Sequence, residues 1–256
     1  MKTPTGKYAI IRSVPDTFDR CIKPDNHLEV SVDLAKEQHA AYCAALEGLG
    51  LGLIKIEADN RFPDCCFVED AAIIVDDKAI VLPMGAPSRI GEEREVRKRL
   101  ADFKEIFEIE PPANMDGGDV LKIGRKLFVG LSQRTNLHAV RELDALVSNW
   151  GFQVLPIQLR EVLHLKSACS YLGDECILIY PGYLPEDAFS DYQNIFVHEE
   201  EAYSANCLAV NGRVLVSKGF HRTIERMQSA GFETLELDMT EFQKGGGSLT
   251  CLSIIF

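Results

Sequence analysis

No segment of this 256-residue chain is apolar for long enough to cross a membrane, and Met1 to Ile10 hold no apolar core of a signal peptide. These two absences predict a cytoplasmic protein with no membrane partner. Eight cysteines sit at positions 21, 43, 65, 66, 169, 176, 207 and 251 without one CxxC pair, so neither a zinc ribbon nor a thioredoxin-type site is indicated. In a reducing compartment most of them are expected as small buried hydrophobes. Basic residues are in deficit, 27 Lys and Arg against 39 Asp and Glu, for a formal charge of −12. Such a surface repels phosphate backbones, which argues against nucleic acid as a partner, and it suits a cationic small molecule.

What the sequence does have is a repeat. Gly50 to Ile56, Gly151 to Ile157 and Gly231 to Leu237 read alike, each a glycine followed by a strand-like run. A helical pattern precedes each, with Leu34, Ala41, Ala45 and Leu49 on one expected stripe and Leu143, Leu146 and Trp150 on another. The glycine stands where a helix C-cap wants it. Weaker copies, Val96, Leu100 and Phe103 leading into Ile106 to Ile109, and Ile195 to Val197, fill the gaps. Five units follow, most with a polar loop and β-like runs after the strand. For the third unit only one such run, Cys176 to Tyr180, is evident; after Val197 come two, joined by the hairpin turn Asn211-Gly212. The last run, Leu252 to Phe256, lacks a hairpin partner, and Tyr8 to Val14 is an isolated strand. Pairing these two would close a ring, a small propeller of mixed β and α units in one domain spanning 1–256. Helix–glycine–strand repetition common to any α/β protein is the competing explanation.

Equivalent loops of a ring share one end of it, so Asp64, Glu69, Asp70, Asp116, His164, Asn206 and Cys251 are expected to converge. A nucleophilic cysteine needs a base or cation and a third group to orient that base, and Cys251, His164 and Asp116 form such a trio. His164 alternates with Leu163 and Leu165 as on a strand, so a half-buried structural histidine competes with this reading. His39 and His138 fall inside helical patterns and are expected in surface or capping roles. Asp64, Glu69 and Asp70 beside Phe67 could bind a guanidinium through paired hydrogen bonds. Arg89 and Arg134, each on a polar segment after an apolar run, suit a carboxylate. The expected ligand is therefore cationic at one end and anionic at the other, as arginine is.

The strings Phe62-Pro-Asp-Cys-Cys-Phe-Val-Glu-Asp70, Gly85-Ala-Pro-Ser-Arg89, Asp116-Gly-Gly-Asp-Val-Leu121, Gly130-Leu-Ser-Gln-Arg-Thr-Asn136, Leu163-His-Leu-Lys-Ser167, Ala205-Asn-Cys207 and Leu249-Thr-Cys-Leu-Ser253 occur in one order. In that order the chain resembles the dimethylarginine dimethylaminohydrolases, from about residue 8 to its end. The resemblance implies an α/β fold, the five-bladed α/β propeller (pentein) of pseudo-repeated ββαβ units. It also implies a cysteine hydrolase that takes asymmetric dimethylarginine to citrulline and dimethylamine through a covalent thiouronium. Cys251 then resembles the nucleophile, His164 the general acid/base and Asp116 the acid that orients it. Asp64, Glu69 and Asp70 look like the guanidinium-binding carboxylates, with Phe67 beside them. Arg89 and Arg134 look like the α-carboxylate ligands, Ile22 resembles part of a mobile lid, and Ser167 a serine near the histidine. No metal or organic cofactor is implied, and a homodimer stays open.

One position departs from the pattern. Gly246 stands where the family usually has an aspartate that helps hold the substrate's α-amino group. Losing such a charge-assisted bond costs roughly 1.5–3 kcal/mol, about one to two orders of magnitude in binding. Either another carboxylate takes over or the substrate differs at that end. Other readings are an amidinotransferase, an arginine deiminase (a longer chain with an inserted helical domain), and a pentein translation factor without catalysis.

Overall fold

The computed structural model describes residues 2–256; Met1, the first residue of the segment read for a leader, lies outside them. Strand β1 (Tyr8–Arg12) leads through helix α1 (Val32–Gly48) to β2 (Gly52–Ile56), which pairs with β1 in parallel. Next come the antiparallel hairpin β3 (Ala72–Val75) and β4 (Lys78–Val81), helix α2 (Glu93–Leu100), and β5 (Glu105–Glu108) parallel to β4. The pattern recurs as β6 (Val120–Ile123), β7 (Lys126–Leu131), α3 (Leu137–Val147) and β8 (Gln153–Gln158). After the one-turn helix α4 (Leu165–Ala168) follow β9 (Cys169–Gly173), β10 (Cys176–Ile179) and β11 (Gln193–Phe196). The final hairpin is β12 (Leu208–Val210) and β13 (Arg213–Ser217), completed by α5 (His221–Ser229) and β14 (Thr234–Leu237).

Helix α6 (Thr240–Lys244) then delivers β15 (Ile254–Ile255) to the free edge of β1, with Ala9 opposite Ile255 and Ile10 opposite Ile254. The result is five three-stranded sheets, the last one β15-β1-β2, so the ring closes as the sequence predicts. A parallel pair needs a long crossover, and in four sheets an α-helix supplies it. The sheet β9-β10-β11 differs: residues 180–192 cross with only a 3-10 turn, so the ββαβ repeat is incomplete there. Strand β9 is also new. Its hairpin turns through Asp174 and Glu175, both at positive φ (47° and 56°), without the asparagine or glycine that would have signalled it. The expected C-cap glycines 50, 151 and 231 do take left-handed φ, at 84°, 76° and 91°.

Helix α1 corrects the sequence reading of its buried face. Leu34 and Ala41 point outward, and Ala35, Gln38, His39, Tyr42, Cys43 and Leu46 face the core. Two polar residues disguise that face. Gln38 grips the start of α6, donating to Thr240 Oγ1 at 2.7 Å and accepting from the Glu241 N–H at 3.0 Å. His39, expected at the surface, packs near Phe242 and Cys43, and burial pushes its pKa down to about 4. Phe103 lies beyond α2 and is largely exposed.

Along the axis, the leading strands β3, β6, β9, β12 and β15 all contribute to a cavity of about 430 Å3. Glu69, Lys166 and Thr250 belong to its wall. No helix of the described residues is long and apolar enough to cross a membrane.

Candidate active site

Because the second and third strands of each sheet run parallel, their C-terminal ends lie at the same end of the ring. Loops leaving β2, β5, β8, β11 and β14 carry Asp64 to Asp70, Asp116, His164, Asn206 and Cys251 in turn. Loops leaving β1, β4 and β7 carry Ile22, Arg89 and Arg134 to the same end. Sequence-distant residues meet there: Ile22, Asp64, Phe67, Asp70, Arg89, Arg134, His164 and Cys251 all line one narrow cavity of about 30 Å3. Gly246 lines it as well. Asp116 and Glu69 support it from behind, and Ser167 does not reach it; the Ser167 N–H closes the turn onto His164 O.

His164 is not on a strand. It is the extended residue (φ −135°, ψ 155°) that precedes α4, which turns its ring inward while Leu163 is exposed. Its Nε2 lies 3.1 Å from Asp116 Oδ2 and its Nδ1 4.0 Å from Asp70 Oδ1. Asp116 is fully buried and its other oxygen accepts the Gly85 N–H at 2.7 Å, which fixes the carboxylate plane. Asp119 braces the same turn, accepting from Ser132 Oγ, Thr135 Oγ1 and the Leu165 N–H. Burial disfavours the imidazolium, but the field of Asp70, the bond to Asp116 and the nearby Asp119 outweigh it and raise the His164 pKa to about 9. At neutral pH His164 is therefore a proton donor.

The pair Gly117-Gly118 makes this approach possible. A Cβ on Gly117 would stand 2.1 Å from the Glu69 carbonyl oxygen, and one on Gly118 would stand 2.7 Å from His164 Nδ1. The Gly118 N–H also donates to Asp70 Oδ1 at 3.0 Å.

Cys251 occupies a 3-10 turn, Thr250–Leu252, with its N–H on Ser248 O. Burial and then the charges of Glu69 and Asp70 push its thiol well above the ordinary range, against the opposing pull of Arg89. Glu69 is held by Lys166 Nζ at 2.7 Å and by Thr250 Oγ1 at 2.7 Å, and Thr250 in turn accepts from Asn206 Nδ2. Asp64 faces elsewhere, accepting the Ile22 N–H at 3.1 Å, and burial raises its pKa. Close by, Gly246 has φ 75°, and a Cβ there would meet Ile22 O at 3.3 Å.

The two arginines are not equivalent. Arg89 is buried, with Nε and NH2 on Glu92 Oε2 (3.0 and 2.9 Å), NH2 also on Phe67 O (2.8 Å) and NH1 on Asp70 Oδ2 (2.5 Å). A guanidinium has five N–H donors, so only one NH1 hydrogen is left for a ligand. Arg134 keeps a freer fork, 3.6 Å from Asp116. Glu92 and Lys166 were not singled out from the sequence. Their partners are Arg89, three residues away in a loop, and Glu69, 97 residues away, and neither spacing carries a signal.

Asp70, Asp116 and His164 bring ligand atoms within 4.8 Å of one another. Asp116 engages His164 and Asp70 engages Arg89, so these groups are already committed to one another and to a guanidinium.

Comparison with known proteins agrees with this geometry. A family model described as "N,N dimethylarginine dimethylhydrolase, eukaryotic" matches residues 11–255. The chain is 34% identical over 224 residues to the N(G),N(G)-dimethylarginine dimethylaminohydrolase of Pseudomonas aeruginosa, covering 87% of this chain and 88% of that protein. It is 32% identical to the enzyme of that name from Streptomyces coelicolor, covering 98% and 97%. A solved structure of the Pseudomonas enzyme, a Cys-to-Ser mutant complexed with citrulline, superposes with a TM-score of 0.96 at 30% identity, covering 99% of this chain and all of that one. The architecture is thus the pentein propeller. From its sheets, its converging loops and these relatives together, the chain belongs to the dimethylarginine dimethylaminohydrolase family of enzymes.

Proposed function

We propose that this enzyme hydrolyses asymmetric dimethylarginine to citrulline and dimethylamine, with the whole chain, 1–256, as one catalytic unit. The observation that carries this reading is the placement of Cys251 against two carboxylates and a protonated histidine. At rest, burial and then the charges of Glu69 and Asp70 keep the thiol protonated. A guanidinium entering the cavity beside Asp70, with Glu69 behind it, offsets that field, and Cys251 releases its proton to solvent only when substrate is present. The thiolate adds to the central guanidinium carbon. His164 gives its proton to the dimethylamino nitrogen, the C–N bond breaks, and a thiouronium is left on Cys251. Water then adds at the same carbon while neutral His164 takes its proton. The adduct loses its hydroxyl proton to solvent and collapses to citrulline as the C–S bond breaks and the thiolate leaves. Asp116 keeps the imidazole aligned through both halves.

Recognition of the amino-acid end follows from the same geometry. Arg134 takes the α-carboxylate with one hydrogen bond from Arg89. Asp64, at the corner beside Ile22 and Gly246, takes the α-amino group in place of a residue-246 carboxylate. The eight unbridged cysteines, seven of them buried, fit a reducing cytoplasm. The test is turnover of asymmetric dimethylarginine, following citrulline and dimethylamine together, with Cys251→Ser as control. Equal yields of both, abolished in the control, are expected. An absence of citrulline from wild-type enzyme would overturn the substrate, and production of both by Cys251→Ser would overturn the nucleophile.

A further inference from the structure

Behind the cavity lies a carboxylate that the reaction above does not use. Glu92 is almost fully buried at the start of α2, and it does not line the substrate cavity. Its Oε2 accepts both Nε and NH2 of Arg89, and its Oε1 has no hydrogen-bond partner among the described residues. A buried carboxylate left half-satisfied is costly, so its retention calls for a reason beyond stability. The Arg89 it holds is shared with Asp70, and Asp70 faces His164 with its other oxygen. The order is therefore Glu92, Arg89, Asp70, His164, four ionisable groups in line through the interior, and burial raises the Glu92 pKa to about 7.

We propose that Glu92 is a positioning residue that draws the Arg89 guanidinium off Asp70, so that Asp70 Oδ1, held by the Gly118 N–H and not by the guanidinium, faces His164 and the incoming guanidinium. The inference rests on the functional reading above. A guanidinium between two acids divides its donors: here Glu92 takes Nε and one NH2 hydrogen, and Asp70 receives only NH1. Without Glu92, Asp70 is the nearest remaining acid. The fork can then close on both of its oxygens, the preferred bidentate geometry. Asp70 would be neutralised and turned away from His164. Around the His164 ring stand Asp70 from the loop before β3 and Asp116 and Asp119 from the loop before β6, with Arg134 behind Asp116 and Cys251 across the cavity. Of these, Asp70 is the acid whose orientation depends on Arg89.

The effect is therefore specific. Glu92→Ala frees the fork, whereas Glu92→Gln keeps an acceptor oxygen at the same place and leaves the fork split. Two readouts separate this role from a merely structural one. The first is the His164 titration followed by NMR in the Cys251→Ser background, which needs no turnover. With His164 near 9 in the parent, Glu92→Ala should lower it by about one unit or more, and Glu92→Gln by under about half a unit. The second is steady-state kinetics. Glu92→Ala should lose about 30-fold or more in kcat with its alkaline limb moved toward neutral pH, and Glu92→Gln should stay within about fivefold. A folded Glu92→Ala protein whose His164 titration is unchanged overturns the proposal, as does a Glu92→Gln protein as impaired as Glu92→Ala. If Glu92→Ala does not fold, the Glu92→Gln comparison and Glu92→Asp, whose shorter carboxylate should give an intermediate His164 shift, decide the matter. Should wild type fail to turn over dimethylarginine, the functional reading falls, while the NMR result still judges the positioning role.

Discussion

Adding one methyl group at Gly118 tests the catalytic geometry directly. An alanine Cβ there would stand 2.7 Å from His164 Nδ1 and 2.9 Å from Asp70 Oδ1, whereas ordinary contact begins near 3.4 Å. The imidazole must therefore retreat by roughly 0.7 Å and Asp70 by about 0.5 Å. Gly118 does not use a left-handed φ, so alanine introduces no backbone strain, and its N–H still reaches Asp70. A displacement of about 1 Å in a catalytic group costs about 100-fold. Gly118→Ala should accordingly lose about 30- to 100-fold in kcat/KM, or about 2–2.7 kcal/mol of transition-state stabilisation. Overpacking should cost about 1–3 kcal/mol of folding stability, measurable by urea denaturation. The neighbouring Gly117→Ala is the contrast: its Cβ strikes the Glu69 carbonyl oxygen at 2.1 Å, so folding should fail before chemistry does. A well-folded Gly118→Ala enzyme within threefold of wild type would refute the claim that His164 must sit where it does.

Arg134→Ala should raise KM for dimethylarginine about 10- to 100-fold, the loss of a charge-assisted carboxylate contact of about 1.5–3 kcal/mol, with kcat little changed. The decarboxylated substrate analogue should be indifferent to the change, and equal losses for both compounds would contradict the assignment. The pKa of His164 predicts a stability profile whose sign is fixed. Folding raises it from 6.5 to about 9, so the stabilisation from its charged form is complete below 6.5 and is lost as pH rises through about 9. Urea midpoints should therefore fall between about pH 7 and 10 in wild type and flatten in His164→Asn. A wild-type profile as flat as that of the variant would mean that His164 is neutral in the folded protein.

The five units were legible because each leaves two strong local marks, a left-handed glycine after a helix and an apolar parallel strand. The candidate site was legible because equivalent loops of a closed ring must converge, and they bring Asp70, His164 and Cys251 to one cavity. Features written in long-range packing were not. Helix α1 turns Gln38 and His39 inward because α6 offers Gln38 a donor and an acceptor that only the folded chain supplies. Strand β9 alternates poorly and its turn lacks glycine at either central position. Arg89 reads like a carboxylate-binding fork until Glu92 is seen to hold it. Lys166 differs from any surface lysine only through Glu69, which comes from another unit.

The pairing of β15 with β1 has a consequence for how the enzyme comes into being. Strand β1 can dock on β2 as soon as α1 has formed, but its other edge must wait for Ile254 and Ile255. During synthesis that edge is an open template for a neighbouring chain, and closing it joins residues about 245 apart in sequence, a slow step. Cys251 lies only three residues before the closing strand. A growing chain therefore carries His164 and the acids long before it carries Cys251, and under the proposed mechanism the cavity is complete only once β15 has reached β1.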